Sequence, residues 1–138
     1  MGFDVFILSF KNGEPAGFPV QRIRDAFGAA VAESPAYDWR LCYDDQNLNG
    51  VMVMRHPTDQ SLLHGFTVES PGGDLRLWDT LASILTLGPL AMVFSSGGPP
   101  LIAKPEVVEH LPPSMIESMG QPRCVRSGTE ILHAIQGH

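Results

Sequence analysis

The chain of 138 residues sets nine Lys and Arg against fifteen Asp and Glu, a formal charge of −6, with 43% apolar and 17% charged residues. This mixture is that of a folded protein rather than a disordered one, and the length suits one domain with its own hydrophobic core. A pI near 5.2 and the lack of any basic cluster argue against nucleic acid as a partner, because phosphate neutralisation supplies most of such binding. The same balance suits a basic protein partner or a cationic ligand.

The opening MGFDVFILSFKNGEP has no basic leader and only a four-residue apolar run, Val5 to Leu8. It therefore predicts neither a signal peptide nor a membrane span, and a cytoplasmic protein is the expectation. Val5 and Phe6 stand where a myristoylation signal would bring Ser or Thr, so lipidation is not expected. From Phe3 to Phe10 nearly every residue is apolar, which predicts a strand in the middle of a sheet, buried on both faces. After the turn KNGEPAGFP, Pro19 can open a short amphipathic helix in which Val20, Ile23 and Phe27 share a face and Gly28 is the stop.

Short strand patterns follow from Ala29 to Ser70: AAVA, YDWRLCY, GVMVM and LLHGFTVE. In YDWRLCY the residues Tyr37, Trp39, Leu41 and Tyr43 alternate with Asp38, Arg40 and Cys42, which places the rings on one face. The connections are too short for crossovers, so antiparallel pairing is expected. Leu75 to Leu87 is the clearest helix, with Asp74 as N-cap and Gly88 as stop. LAMVF, a short strand at Leu101 to Ala103, and two brief helices opened by Pro105 and Pro113 come next. Ser127 and Glu130 then form an S-x-x-E capping box ahead of a last helix. The order predicts a single α+β domain over residues 1–138: a mainly antiparallel sheet, two principal helices on one face, and short C-terminal helices.

Few segments carry a chemical motif. Asp45, Asn47, Asn49 and Gly50 match the opening of a calcium loop, but the twelfth position is His56 rather than Glu, and the flanks are strand-like. The stretch LNG between two apolar runs reads as a hairpin turn. The loop SSGGPP could cradle a phosphate, yet Pro99 and Pro100 remove two of the N–H donors this would need, and Ser95 and Ser96 lack a nucleophile-elbow context. The five histidines, His56, His64, His110, His133 and His138, show no metal-ligand spacing. His64, with Glu69 and Asp74 downstream, is the nearest acid/base group, and Cys42 the nearest nucleophile. Cys42 and Cys124 lack C-x-x-C spacing and read as free, buried thiols. No catalytic residue, cofactor or metal site is assigned.

Tyr and Trp are enriched where interfaces bind most tightly, and acidic residues surround this stripe. The candidate partner-binding set is therefore Tyr37, Asp38, Trp39, Tyr43, Asp44 and Asp45, against the simpler expectation that the rings pack beneath the helices. A second reading is a small enzyme or ligand-binding domain with a pocket near the Gly/Pro-rich loops at Gly72, Gly73, Gly97 and Gly98. A third is a homodimer formed through an open sheet edge.

The segments FDVFILSFKNGEPAGFPVQRIRDAFG, GGDLRLWDTLASIL and GGPPLIAKPEVVEHLPPSMIES, with the closing VRSGTEIL, together resemble a family of small bacterial proteins of unassigned function. The resemblance spans most of the chain and implies a single cytosolic domain. By analogy with other small acidic bacterial domains, it suggests an immunity-type protein that neutralises a toxin domain.

Overall fold

The computed structural model describes residues 2–136, except for the side chain of Asn47; His138 lies outside the described residues. In chain order the elements are β1 (Val5–Lys11), β2 (Glu14–Pro15), β3 (Phe18–Pro19), α1 (Val20–Phe27), β4 (Val31–Ala32) and β5 (Trp39–Asp44). They continue with β6 (Asn47–Arg55), β7 (Leu62–Glu69), α2 (Leu75–Leu85), β8 (Leu90–Phe94) and β9 (Leu101–Ile102). A 3-10 segment (Pro105–His110), α3 (Pro113–Met119), β10 (Arg123–Cys124) and α4 (Gly128–Gln136) complete the fold. The domain is α+β, as the sequence predicts.

The sheet runs β10-β9-β8-β1-β7-β6-β5-β4, with β2 paired to β1 and β3 to β7. Every pairing is antiparallel except β9 with β10. The strand β1 lies in the middle, between β7 and β8, as its apolar run predicts. Its two faces are not equally covered: Val5 and Ile7 are fully buried, whereas Phe6 and Leu8 are only half-buried.

That asymmetry follows from where the helices lie. Trp39, Leu41, Val51, Phe66, Val68, Met92 and Phe94 point to one face and pack with Ile23 and Phe27 of α1, Leu77, Trp78, Leu81 and Leu85 of α2, and Ile131 of α4. Three helices, not the two expected, therefore serve the main core, since α4 packs directly against α2. On the other face a smaller cluster of Phe10, Ala91, Ile102, Val107 and Leu111 is closed by Met115 and Ile116 of α3. This second layer covers one end of the face.

Several boundaries moved for local reasons. Asp74 caps α2 as expected, its carboxylate accepting from Arg76 N at 2.9 Å, but the helix ends at Leu85. Thr86 closes it by donating its hydroxyl to Ser83 O at 2.6 Å. Gly88 serves packing instead, because a Cβ there would stand 2.9 Å from the Phe18 ring. The first two residues of AAVA belong to a 3-10 turn, leaving the two-residue β4. The β5–β6 turn falls at Asp45–Gln46, so Leu48, Asn49 and Gly50 lie within β6 rather than in a turn. Asp44 stabilises this turn by accepting from Gln46 N at 2.9 Å, beside a bulge between Cys42 and Asp44.

Candidate interaction surface on the open face of the sheet

Alternation along three neighbouring strands builds the surface. Trp39 and Leu41 of β5, Val51 and Val53 of β6, and Phe66 and Val68 of β7 face the helices. Their neighbours in sequence must face the opposite way: Arg40 and Cys42, then Leu48, Gly50, Met52 and Met54, then Gly65, Thr67 and Glu69. Among the described residues, no helix covers this part of the sheet. Leu48, Met52 and Met54 are 49%, 39% and 36% exposed, three large apolar side chains at alternate positions of one strand.

Register turns these positions into rows. Val93, Phe6, Thr67 and Met52 form one, from β8 across to β6. Ala91, Leu8, Gly65 and Met54 form the next. Arg40, Gly50 and Glu69 form a third, with the Tyr37 ring over its centre, since a Cβ at Gly50 would come within 2.5 Å of Tyr37 Cε1. Leu48 pairs with Cys42 beyond it. The result is an apolar centre flanked by one guanidinium and one carboxylate. Among the described residues, neither Arg40 nor Glu69 has a salt-bridge partner.

The six residues singled out from sequence are divided by this arrangement. Trp39, 3% exposed, is core, with Arg24 of α1 lying 5.6 Å from its ring. Tyr43 is half-buried on the helix side, where its hydroxyl donates to Thr80 Oγ1 at 3.4 Å and burial pushes its phenol above the ordinary value. Tyr37 alone of the three rings lies on the open face. The packing alternative therefore describes Trp39 and Tyr43. Asp38 is tied locally, its Oδ2 accepting from Val53 N at 2.7 Å. Asp45 stands exposed at the hairpin turn. The sequence reading missed Leu48, Met52 and Met54. The signal was present in GVMVM, where methionines alternate with valines, but only the direction of the helices decides which set is outside.

Asp44 belongs to a second cluster that braces the hairpin against α2. Arg76 Nη2 lies 2.6 Å from both Asp44 Oδ2 and Asp74 Oδ2, and its Nη1 donates to Tyr43 O at 3.2 Å. The same guanidinium sits 5.5 Å from the Tyr43 ring. Arg76 holds the Asp74 carboxyl below the usual carboxylate range, and the two carboxylates raise the Arg76 guanidinium further. Part of the acidic charge expected around the aromatic stripe is thus matched within the molecule.

The remaining sequence candidates are dispersed. His64 lies edge-on to His56, ring centres 5.1 Å apart, and His56 Nδ1 accepts from Thr58 N and Asp59 N, so this imidazole organises the β6–β7 loop. Of the calcium-like set, Asn49 is buried and its Oδ1 accepts from Gly72 N at 3.4 Å, while Asp45 is in the turn. Among the described residues, no three His, Cys, Asp or Glu side chains are grouped to hold a metal ion. Ser95 Oγ accepts from Asp4 N at 2.8 Å and fixes the chain start to the end of β8. Both cysteines are free, but neither is buried: Cys42 is half-buried and Cys124 exposed, because β10 is the outermost strand.

A cleft of about 180 Å³ opens between the end of α2 and the 3-10 segment, lined by Leu85, Pro89, Lys104, Glu106, Val107 and His110 among others. His110 is held there by Asn12 N, which donates to its Nδ1 at 3.2 Å. No helix among the described residues is long and apolar enough to cross a membrane. Comparison with protein-family models, curated proteins and solved structures finds no match to this chain.

Proposed function

We propose that this chain is a non-catalytic protein-binding domain whose partner docks on the open face of β5, β6 and β7. The observation that carries the reading is the exposure of Leu48, Met52 and Met54 along one face of β6, with the Tyr37 ring between the first two, on a face that no helix among the described residues covers. Burying a half-exposed Leu or Met contributes on the order of 1 kcal/mol. Methionine's flexible thioether also adapts to a partner's shape. Contiguous apolar surface of this kind marks interaction sites. Tyr37 adds a ring at the centre of the patch, and the net charge of −6, with Asp38 and Asp45 nearby, favours a partner bearing basic groups around its own apolar patch. Immunity-type inhibition of a partner protein by a cytoplasmic domain is the most concrete version.

Affinity retention tests this reading. The tagged protein retains its partner from the host lysate, Met52→Asp and Leu48→Asp lose it, and Met119→Asp, which changes an equally exposed methionine on α3, keeps it. Retention unaffected by Met52→Asp and Leu48→Asp would remove the open face from the function.

A second reading, a small-ligand site, is favoured by the cleft where Lys104, Glu106 and His110 meet apolar Leu85 and Val107, a cleft that is not lined by the Gly72, Gly73, Gly97 or Gly98 loops where the sequence placed a pocket. Its volume lies below the usual range for ligand pockets, so it ranks behind the interaction reading.

A further inference from the structure

The open face is self-complementary, and we infer that a second copy of this chain covers it, forming a two-fold dimer with sheet packed on sheet. The inference rests on the open face of the interaction reading and not on its net-charge argument, because a second copy carries the same formal charge of −6 and the attraction comes from Arg40 and Glu69. Arg40, Gly50 and Glu69 lie in one row across β5, β6 and β7, so the two opposite charges stand one strand to either side of β6. Consider a two-fold axis parallel to β6, midway between the faces of two copies. Rotation about it carries the β5 side of one copy over the β7 side of the other. Arg40 then faces Glu69 of the second copy, and Glu69 faces its Arg40, two equivalent ion pairs from one operation.

The same axis sets like against like only along β6, where like residues are apolar. Leu48, Met52 and Met54 of one copy meet their own counterparts, with Tyr37 over Gly50 at the centre. The arrangement thus pairs charges that have no salt-bridge partner among the described residues and covers the apolar residues left exposed by the helices. No sheet edge is used; β4 and β10, at the edges, are two residues long and offer few ladder bonds.

Size sets the strength. The three strands at a spacing of about 4.8 Å and seven residues at about 3.4 Å give a footprint of roughly 14 by 24 Å. That is below the roughly 800 Å² of accessible surface per partner in a standard interface. The contact therefore belongs with small, transient interfaces, and a heterologous partner of the same face competes with it.

Sedimentation of the full chain from low micromolar to millimolar concentration tests this. The expected result is a monomer–dimer equilibrium that weakens about tenfold in Arg40→Glu and in Glu69→Arg, and recovers in the double variant, where the pairs re-form with reversed sign. Met52→Asp, which sets two carboxylates against each other on the axis, abolishes the dimer without altering the monomer's circular dichroism. A monomer at every concentration overturns the inference, as does a dimer indifferent to Met52→Asp or a double variant no better than the singles. Loss of the dimer inference leaves the interaction reading to its own retention assay, where Met52→Asp still discriminates.

Discussion

The Tyr37 ring occupies the space a side chain at Gly50 would need, its Cε1 only 2.5 Å from where a Cβ would stand. A glycine inside a strand weakens it unless something uses the gap, and here the gap seats the only aromatic ring of the β5 stripe that turns outward.

Gly50→Ala is therefore expected to lift Tyr37 off the sheet. Because the ring is half-buried and can swing away, the cost is at the low end for overpacking, about 1 kcal/mol, measured by urea unfolding. The informative readout is association: the displaced ring roughens the centre of the open face, so dimer and partner binding fall more than stability does. An unchanged binding curve would show that Tyr37 is peripheral to the interface.

The bracing of the hairpin by Arg76 predicts a pH dependence. The folded-state pKa of Asp74 is depressed, chiefly by its hydrogen bonds from Arg76. As pH falls below about 3.9, the unfolded Asp74 takes up a proton while the folded one does not. The stabilisation is fully present above that value and is lost as pH falls through the folded pKa. Asp59, lowered by Ser61, acts in the same sense. Arg76→Gln should lower Tm slightly above this acid window, since a largely exposed ion pair contributes little, and converge with the parent chain below it, so that the slope of Tm against pH is reduced. An identical acid slope in the variant would assign it to other carboxylates.

Much of the fold was legible because its signals are local. The Asp74 cap, the period-2 pattern of Trp39 and Leu41, and the Ser127 box each depend on a few adjacent residues. Of the box, the Ser127 half forms as expected, its Oγ accepting from Glu130 N at 3.2 Å, while the Glu130 carboxylate takes Arg126 N at 2.8 Å, one residue before the N-cap N–H that a capping box would use. What was not legible depends on partners distant in sequence. The position of the hairpin turn depends on a bulge at Cys42–Asp44 and on Arg76, thirty-two residues from Asp44. The outward set on β6 depends on which face α1, α2 and α4 choose. Val51 and Met52 are equally apolar as letters; only the first is core.

The two cysteines should differ in reactivity. Cys124 is exposed on the outermost strand, and Cys42 is half-buried on the open face beside Leu48. A disulfide reagent is expected to modify Cys124 quickly and Cys42 more slowly, because attack requires access as well as thiolate. Raising the protein concentration should slow Cys42 further while leaving Cys124 unchanged, since only Cys42 lies in the paired face. Mass spectrometry of the two peptides against time distinguishes them, and a Cys42 rate independent of concentration would count against the dimer.

The junction of α2 and α4 gives the sharpest stability prediction. Gly128 N donates to Asp79 Oδ1 at 2.8 Å, so a carboxylate on α2 sits at the start of α4, where the helix presents free N–H groups and the positive end of its dipole. A Cβ at Gly128 would stand 2.5 Å from Asp79 N and 2.7 Å from Trp78 C. Both are backbone atoms within a helix, which cannot yield as a flexible side chain can. Gly128→Ala must therefore push α4 outward and open the core at Ile131, for a loss of about 2 kcal/mol, or a fall in Tm of roughly 7 °C. Asp79→Ala removes the acceptor without forcing the helices apart, and should cost about 1 kcal/mol. If the close approach is what matters, adding Asp79→Ala to Gly128→Ala gives less than the sum of the two, because the displaced helix has already lost the hydrogen bond. A strictly additive pair in urea unfolding would mean that α4 absorbs the extra methyl without moving.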